Sequence, residues 1–159
     1  MRELILNDTE YTGYGKADQE IIDIRNMKLQ GCLGCGTCIS HRKHAGACVV
    51  ADDMQLLYPK IARCEKLTFI CCHSFGCCSA LCKCILDRMA ILGYQEYTVK
   101  QKELSKTGWK IPLREIQFLL CNDAGQEEKV LFQEWLTEVH RITAGTIMKV
   151  RYLCEEIVV

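Results

Sequence analysis

Residues 66–89 read KLTFICCHSFGCCSALCKCILDRM, and their reading decides the fold. Lys66–Cys72 is apolar nearly throughout, which suits a central strand buried on both faces. His73–Cys78 is a short turn containing Gly76. From Ser79 to Leu92, Leu81, Cys82, Ile85, Met89 and Leu92 recur at helical spacing, with Ser79 placed to cap the helix. A buried strand running through a short turn into an amphipathic helix is the repeating unit of a parallel α/β sheet.

Four more strands fit around it. Arg2–Asn7 is a short apolar run, and Gln19–Ile24 is a second. Ile116–Cys121 is a third, ended by Asn122, Asp123, Ala124 and Gly125. Met148, Val150, Tyr152 and Cys154 alternate with polar residues, as a half-exposed edge strand does. Helices are expected over MQLLYPKIARC from Met54, shortened by Pro59, and over Glu127–Thr143, with Leu131, Phe132, Trp135, Leu136, Val139 and Ile142 on one side. Gly93–Arg114 is polar and aperiodic and reads as a long excursion. The sum is one α/β domain over residues 1–159: a doubly wound, mainly parallel five-stranded sheet with helices on both faces. Such a sheet binds ligands at the carboxyl ends of its strands.

At that end the second strand leads to CLGCGTCISHRKHAGACVVADDM, Cys32–Met54, within a cysteine-rich loop at 31–51. Cys32, Cys35 and Cys38 are separated by two-residue gaps, with Gly34 and Gly36 between them, and Cys48 follows a longer gap. Compact thiolate runs of this kind hold iron–sulfur clusters. Zinc takes the same ligands, with His41 or His44 able to replace a cysteine, and redox-active or structural thiols are the third reading. Asp52 and Asp53 precede the next helix, where a carboxylate accepts first-turn N–H bonds. A second group, Cys71, Cys72, Cys77, Cys78, Cys82 and Cys84, reads as small buried residues or as a thiol pair or metal site beside a helix N-terminus.

Composition limits the rest. The chain holds 13 cysteines among 159 residues, with 20 basic and 20 acidic side chains. A balanced charge gives no basic face for nucleic acid. The absence of a signal-like N-terminus and of an apolar span points to a cytoplasmic chain with reduced thiols.

CLGCGTC…ACVVADDM resembles the C-x-G-C-x-x-C…C-x-x-x-D-D-M segment of the NADPH-dependent FMN reductase family, which is flavodoxin-like. The iron–sulfur flavoprotein branch of that family carries a [4Fe–4S] cluster on such a loop. FICCHSFGCCSALCKCILDRM is similar to the family's strand running into P-x-Y-x-G-S and then S-A-x-x-K-x-x-x-D-R, with Phe75, Gly76, Ser79, Ala80, Lys83, Asp87 and Arg88 in register. The resemblance implies a cluster on Cys32, Cys35, Cys38 and Cys48. It implies FMN contacts from His73, Ser74, Phe75, Gly76 and Cys77 on one side, and from Asn122, Asp123, Ala124 and Gly125 on the other. It also implies a homodimer or homotetramer, and a redox partner protein or NAD(P)H as the source of electrons. Asp87 and Arg88 are read as forming structural salt bridges or subunit contacts.

Two departures stand against this. Cys72 and Ser74 replace the family's Pro and Tyr. The phosphate-binding turn and first helix are missing, since only TEYTGYGKAD separates the first two strands, with Thr9, Thr12 and Gly13 as its polar candidates. Three functions remain in view: an iron–sulfur flavoprotein-like electron carrier or reductase, a flavin-free cysteine-rich metal-binding or redox-sensing protein, and an NAD(P)H-dependent FMN or quinone reductase.

Overall fold

The computed structural model describes residues 2–16, 19–40, 48–93, 97–100, 102–106, 108–143 and 146–153. Its strands are β1 (Glu3–Asn7), β2 (Glu20–Asp23), β3 (Lys66–Cys71), β4 (Tyr97–Lys100), β5 (Glu103–Lys106), β6 (Glu115–Leu120) and β7 (Ile147–Tyr152). The helices are α1 (Thr37–Ser40), α2 (Met54–Ile61), α3 (Ala80–Arg88) and α4 (Gln126–Ile142), and a 3-10 turn, Met89–Leu92, extends α3. β2, β1, β3, β6 and β7 form one sheet in that order, and every neighbouring pair is parallel. The chain thus winds outward from β1 in both directions, which opens a crevice at the carboxyl ends of β1 and β3.

Each element has a local cause. β3 and β6 are the central strands, almost wholly buried: apolar on one face, and on the other mixing Ile70 and Leu119 with Lys66, Thr68, Glu115 and Gln117. β7 is the expected edge strand, alternating between exposed and half-buried residues. Ser79 caps α3 as expected, its Oγ accepting the Cys82 N–H at 3.4 Å. α2 runs through Pro59, which gives up one i→i−4 bond, and stops at Ile61, short of the expected Cys64.

Two details depart from the sequence reading. The excursion after Gly93 contains an antiparallel hairpin, β4 with β5, turning at Lys102 with φ 68°. Leu131, expected on the apolar side of α4, is 53% exposed, while Phe132 and Leu136 are buried.

α2, α3 and α4 bury Met54, Leu57, Ile61, Cys82, Ile85, Phe132 and Leu136 in the cluster formed with Leu4, Leu67, Phe69, Ile116 and Phe118. Phe69 and Phe118 stack at 5.2 Å, and Phe132 meets Phe118 edge-on at 5.6 Å. Ile5, Ile70, Leu119 and Leu153 form a separate, smaller cluster, joined by Tyr11 and Tyr14 of the β1–β2 connection. Residues alternate between the two faces of a strand, so the described long helices share one face. The other carries the connection and a polar network. There Glu3 accepts from Thr68 Oγ1 at 2.5 Å and pairs with Lys66 at 3.1 Å, and Glu115 pairs with Lys149 at 2.7 Å. Of the helices expected on both faces, those among the described residues cover only one.

Candidate functional site

Four loops leave the carboxyl end of the sheet, after β1, β2, β3 and β6. After β3, Ser74 and Cys77 exchange two backbone bonds of 2.9 Å each across a tight turn. Phe75 and Gly76 between them have φ of 49° and 72°, the positive values at both central positions that mark a type I′ turn. Gly76 is required there, because a Cβ would also stand 2.9 Å from Leu131 Cβ. Phe75 has no such exemption. It holds a left-handed backbone with a fully exposed ring, the kind of local strain found at binding sites.

The turn after β6 is tied to this one. The Asn122 side chain accepts the His73 N–H at 2.5 Å and donates to the His73 carbonyl at 3.0 Å. Asp123 Oδ1 takes the Ala124 N–H, and Glu128 takes the Gly125 N–H at 3.2 Å. The His73 ring is buried, 5.6 Å from Phe132, with Nδ1 4.0 Å from Glu128 Oε1. His73 therefore serves the turn through its backbone, while its side chain belongs to the core.

The loop after β1 spends its own polar groups. Asn7 Oδ1 accepts both the N–H and the hydroxyl of Thr9, at 3.0 and 2.8 Å, and Thr9 Oγ1 accepts the Tyr11 N–H at 3.1 Å. Asp8 N–H goes to the Ile70 carbonyl. Among the described residues of this loop no helix forms. A phosphate site needs unpaired N–H groups at a helix start, and three of these are already used.

The cysteine loop is anchored differently. Asp52 and Arg88, whose side chains are 4% and 1% exposed, pair at 2.5 Å. Asp52 also accepts the N–H groups of Gln30 (2.8 Å) and Met54 (3.2 Å), and Asp53 accepts that of Lys28 (2.7 Å). Asp52 thus meets the expected first-turn role, while Asp53 fastens the segment entering the loop at Lys28 instead. Burial pushes the Asp52 carboxyl upward, but the Arg88 guanidinium and the two N–H donors outweigh it and hold it below the usual range.

Cys32 and Cys35 are exposed, and Cys38 and Cys48 are half-buried. The Cys38 thiol is pushed up by burial and then by charge on Cys48, Cys32 and Cys35. Donation from Thr37 pulls Cys35 down. Among the described residues, no three His, Cys, Asp or Glu side chains come together as a metal-ligating group. His41 and His44 lie outside the described residues. In donor chemistry the set of four thiols fits a thiolate-bound centre.

In the second cysteine group, Cys71, Cys78 and Cys82 are buried, as the structural reading expects, and Cys64 joins them in the core. Cys77 is half-buried. A hydrogen bond from the Cys78 thiol brings Cys77 down to about 7, with Lys83 assisting, while Cys78 is pushed strongly up. The described cysteines form no disulfide. Behind the turn, Trp109, Trp135, Leu86, Ala90 and Val139 line an apolar cavity of about 170 Å³ between α3 and α4. No residue of either turn reaches it.

The architecture can now be compared with known structures. The fold is flavodoxin-like. An NAD(P)H:quinone oxidoreductase from Methanothermobacter marburgensis superposes with a TM-score of 0.58 at 17% identity, covering 96% of this chain and 84% of that one. RosB, in a crystal structure with the bound intermediate 8-demethyl-8-formylriboflavin-5'-phosphate, superposes with a TM-score of 0.54 at 15% identity, covering 96% of this chain. The chain spans 64% of the RosB chain. No family model matches the sequence, and no curated protein does. No helix among the described residues is long and apolar enough to cross a membrane.

Proposed function

We propose that the chain is an electron-transfer or reductase protein. It passes electrons between a [4Fe–4S] cluster on Cys32, Cys35, Cys38 and Cys48 and either FMN or an external redox partner. The two-residue spacing of Cys32, Cys35 and Cys38, with Cys48 as the fourth thiol, carries the cluster part of this reading. FMN is supported by the strained Phe75–Gly76 turn, cross-braced by Asn122, and by the flavin compound bound in RosB. The ring would lie between the backbone of His73–Cys77 and that of Asn122–Gly125. NAD(P)H is the proposed electron donor and a homodimer or homotetramer the proposed assembly, with the quinone oxidoreductase neighbour as the precedent for the nucleotide. The cluster, when bound, supplies one-electron storage. The chain's own residues hold its thiolates and set their surroundings.

The test is anaerobic purification followed by iron, zinc and flavin analysis. About four irons per chain with broad visible absorption is the expected result. Stoichiometric zinc without iron overturns the cluster.

A second reading has an observation of its own. Asn7 and Thr9 consume the N–H groups and hydroxyl that would meet a flavin phosphate. This favours a flavin-free, cysteine-rich metal-binding or redox-sensing protein. Failure of added FMN to bind protein that retains iron selects it.

A further inference from the structure

We propose that Arg88 is the positioning residue of the cysteine loop: its guanidinium grips both legs of the loop and donates directly to the Cys48 sulfur. The proposal rests on the cysteine loop being the functional centre, but it does not depend on which metal the loop holds.

Arg88 ends α3, and its side chain is 1% exposed. A buried guanidinium survives only where its donors are met by fixed acceptors. Nη1 donates to the Gln30 carbonyl at 3.2 Å, on the leg entering the loop, and to Asp52. Nη2 donates to the Val50 carbonyl at 3.3 Å and to Cys48 Sγ at 3.6 Å, both on the leg leaving it. The remaining donor, Nε, is buried and has no hydrogen-bond partner. Leaving one N–H unmet costs about 1–3 kcal/mol, so the group is placed for its other four contacts. α2 adds a brace, since Tyr58 OH donates to the Arg88 carbonyl at 3.4 Å. The Arg88–Asp52 pair therefore fixes the separation of the two legs, and with it the position of Cys48 relative to Cys32. A hydrogen bond to a ligand sulfur also tunes the potential of the centre it holds.

Arg88→Lys separates this role from plain charge neutralisation. Lysine keeps the charge for Asp52 but lacks the fork that reaches Val50 and Cys48. Amide hydrogen exchange on metal-free protein reads the loop. In the variant, residues 28–36 and 48–54 should exchange roughly tenfold faster or more, with Phe69 and Phe118 in the sheet unchanged. Exchange in those segments identical to wild type overturns the proposal.

If the variant fails to fold, NMR of wild-type Arg88 decides. Resolved, slowly exchanging Nη–H signals support the grip, and averaged signals overturn it. On iron-loaded protein, Arg88→Lys should lower the reduction potential and alter the cluster's EPR signature. An unchanged potential and signature overturn the sulfur contact. Wild-type protein that takes up no iron defeats the proposed function instead, while the exchange experiment still decides the role of Arg88.

Discussion

The loop after β1 and the loop after β2 leave the same end of the same sheet, yet they satisfy their backbones in opposite ways. The β1 loop folds on itself, with the side chains of Asn7 and Thr9 taking up its N–H groups. The cysteine loop is held from outside. Asp52, Asp53 and Arg88 take its legs, and Arg88 also donates to the Cys48 sulfur. A loop that caps itself has few groups left for a ligand, whereas a loop anchored at its base presents its tip. With its legs so held, the loop leaves Cys32 and Cys35 exposed and Cys38 and Cys48 half-buried.

Asp52→Ala is the largest expected break. It strands a buried guanidinium and should cost about 3–5 kcal/mol in urea unfolding. Asn7→Ala in the other loop removes neutral, half-buried bonds and should cost about 1–2 kcal/mol. Equal losses would erase the contrast.

Gly76→Ala probes the turn after β3, on the other side of β1 from the cysteine loop. The left-handed backbone and the Leu131 contact should together cost about 1–3 kcal/mol, part of which Leu131→Ala restores.

pH separates exposed chemistry from buried core. Cys77, brought down to about 7, should be alkylated by iodoacetamide with a midpoint near that pH. Its stabilising effect is present above the ordinary thiol value of ~8.5 and fades as pH falls through 7. Cys64, pushed up to about 12 by burial, has the opposite sign. It favours the fold below ~8.5, and that advantage is lost as pH rises toward 12. Urea midpoints followed from pH 6 to 11 should show both slopes, and Cys64→Ala should flatten the alkaline one.

The smallest change is Phe75→Asn, which places a residue tolerant of positive φ in the turn and removes an exposed ring. Stability should rise by about 0.5–1 kcal/mol. If flavin binds here, its affinity should fall.

Much of the frame was legible. Lys66–Cys71 and Glu115–Leu120 are central strands because long apolar runs have no other low-energy place in a parallel sheet. Ser79 announced its cap by residue type alone. The hairpin at Tyr97–Lys106 was not legible, because strands of four residues carry too little alternation to rise above a polar background. Arg88 was legible only as a salt-bridging residue. Nothing in LDRM says that its fork reaches Gln30, Cys48 and Val50, residues 38 to 58 positions away.

By itself the sequence determined the strand–helix alternation of a parallel sheet, the clustering of four cysteines in one loop and a first connection too short for a helix. Each follows from local pattern and from chain length between strands. Tertiary structure alone decided that His73 turns its ring into the core and that the β1 loop uses up its own N–H groups. It also decided that a buried arginine grips the cysteine loop. These outcomes depend on which polar groups meet once the strands are side by side, and burial makes each such pairing too costly to leave unmet.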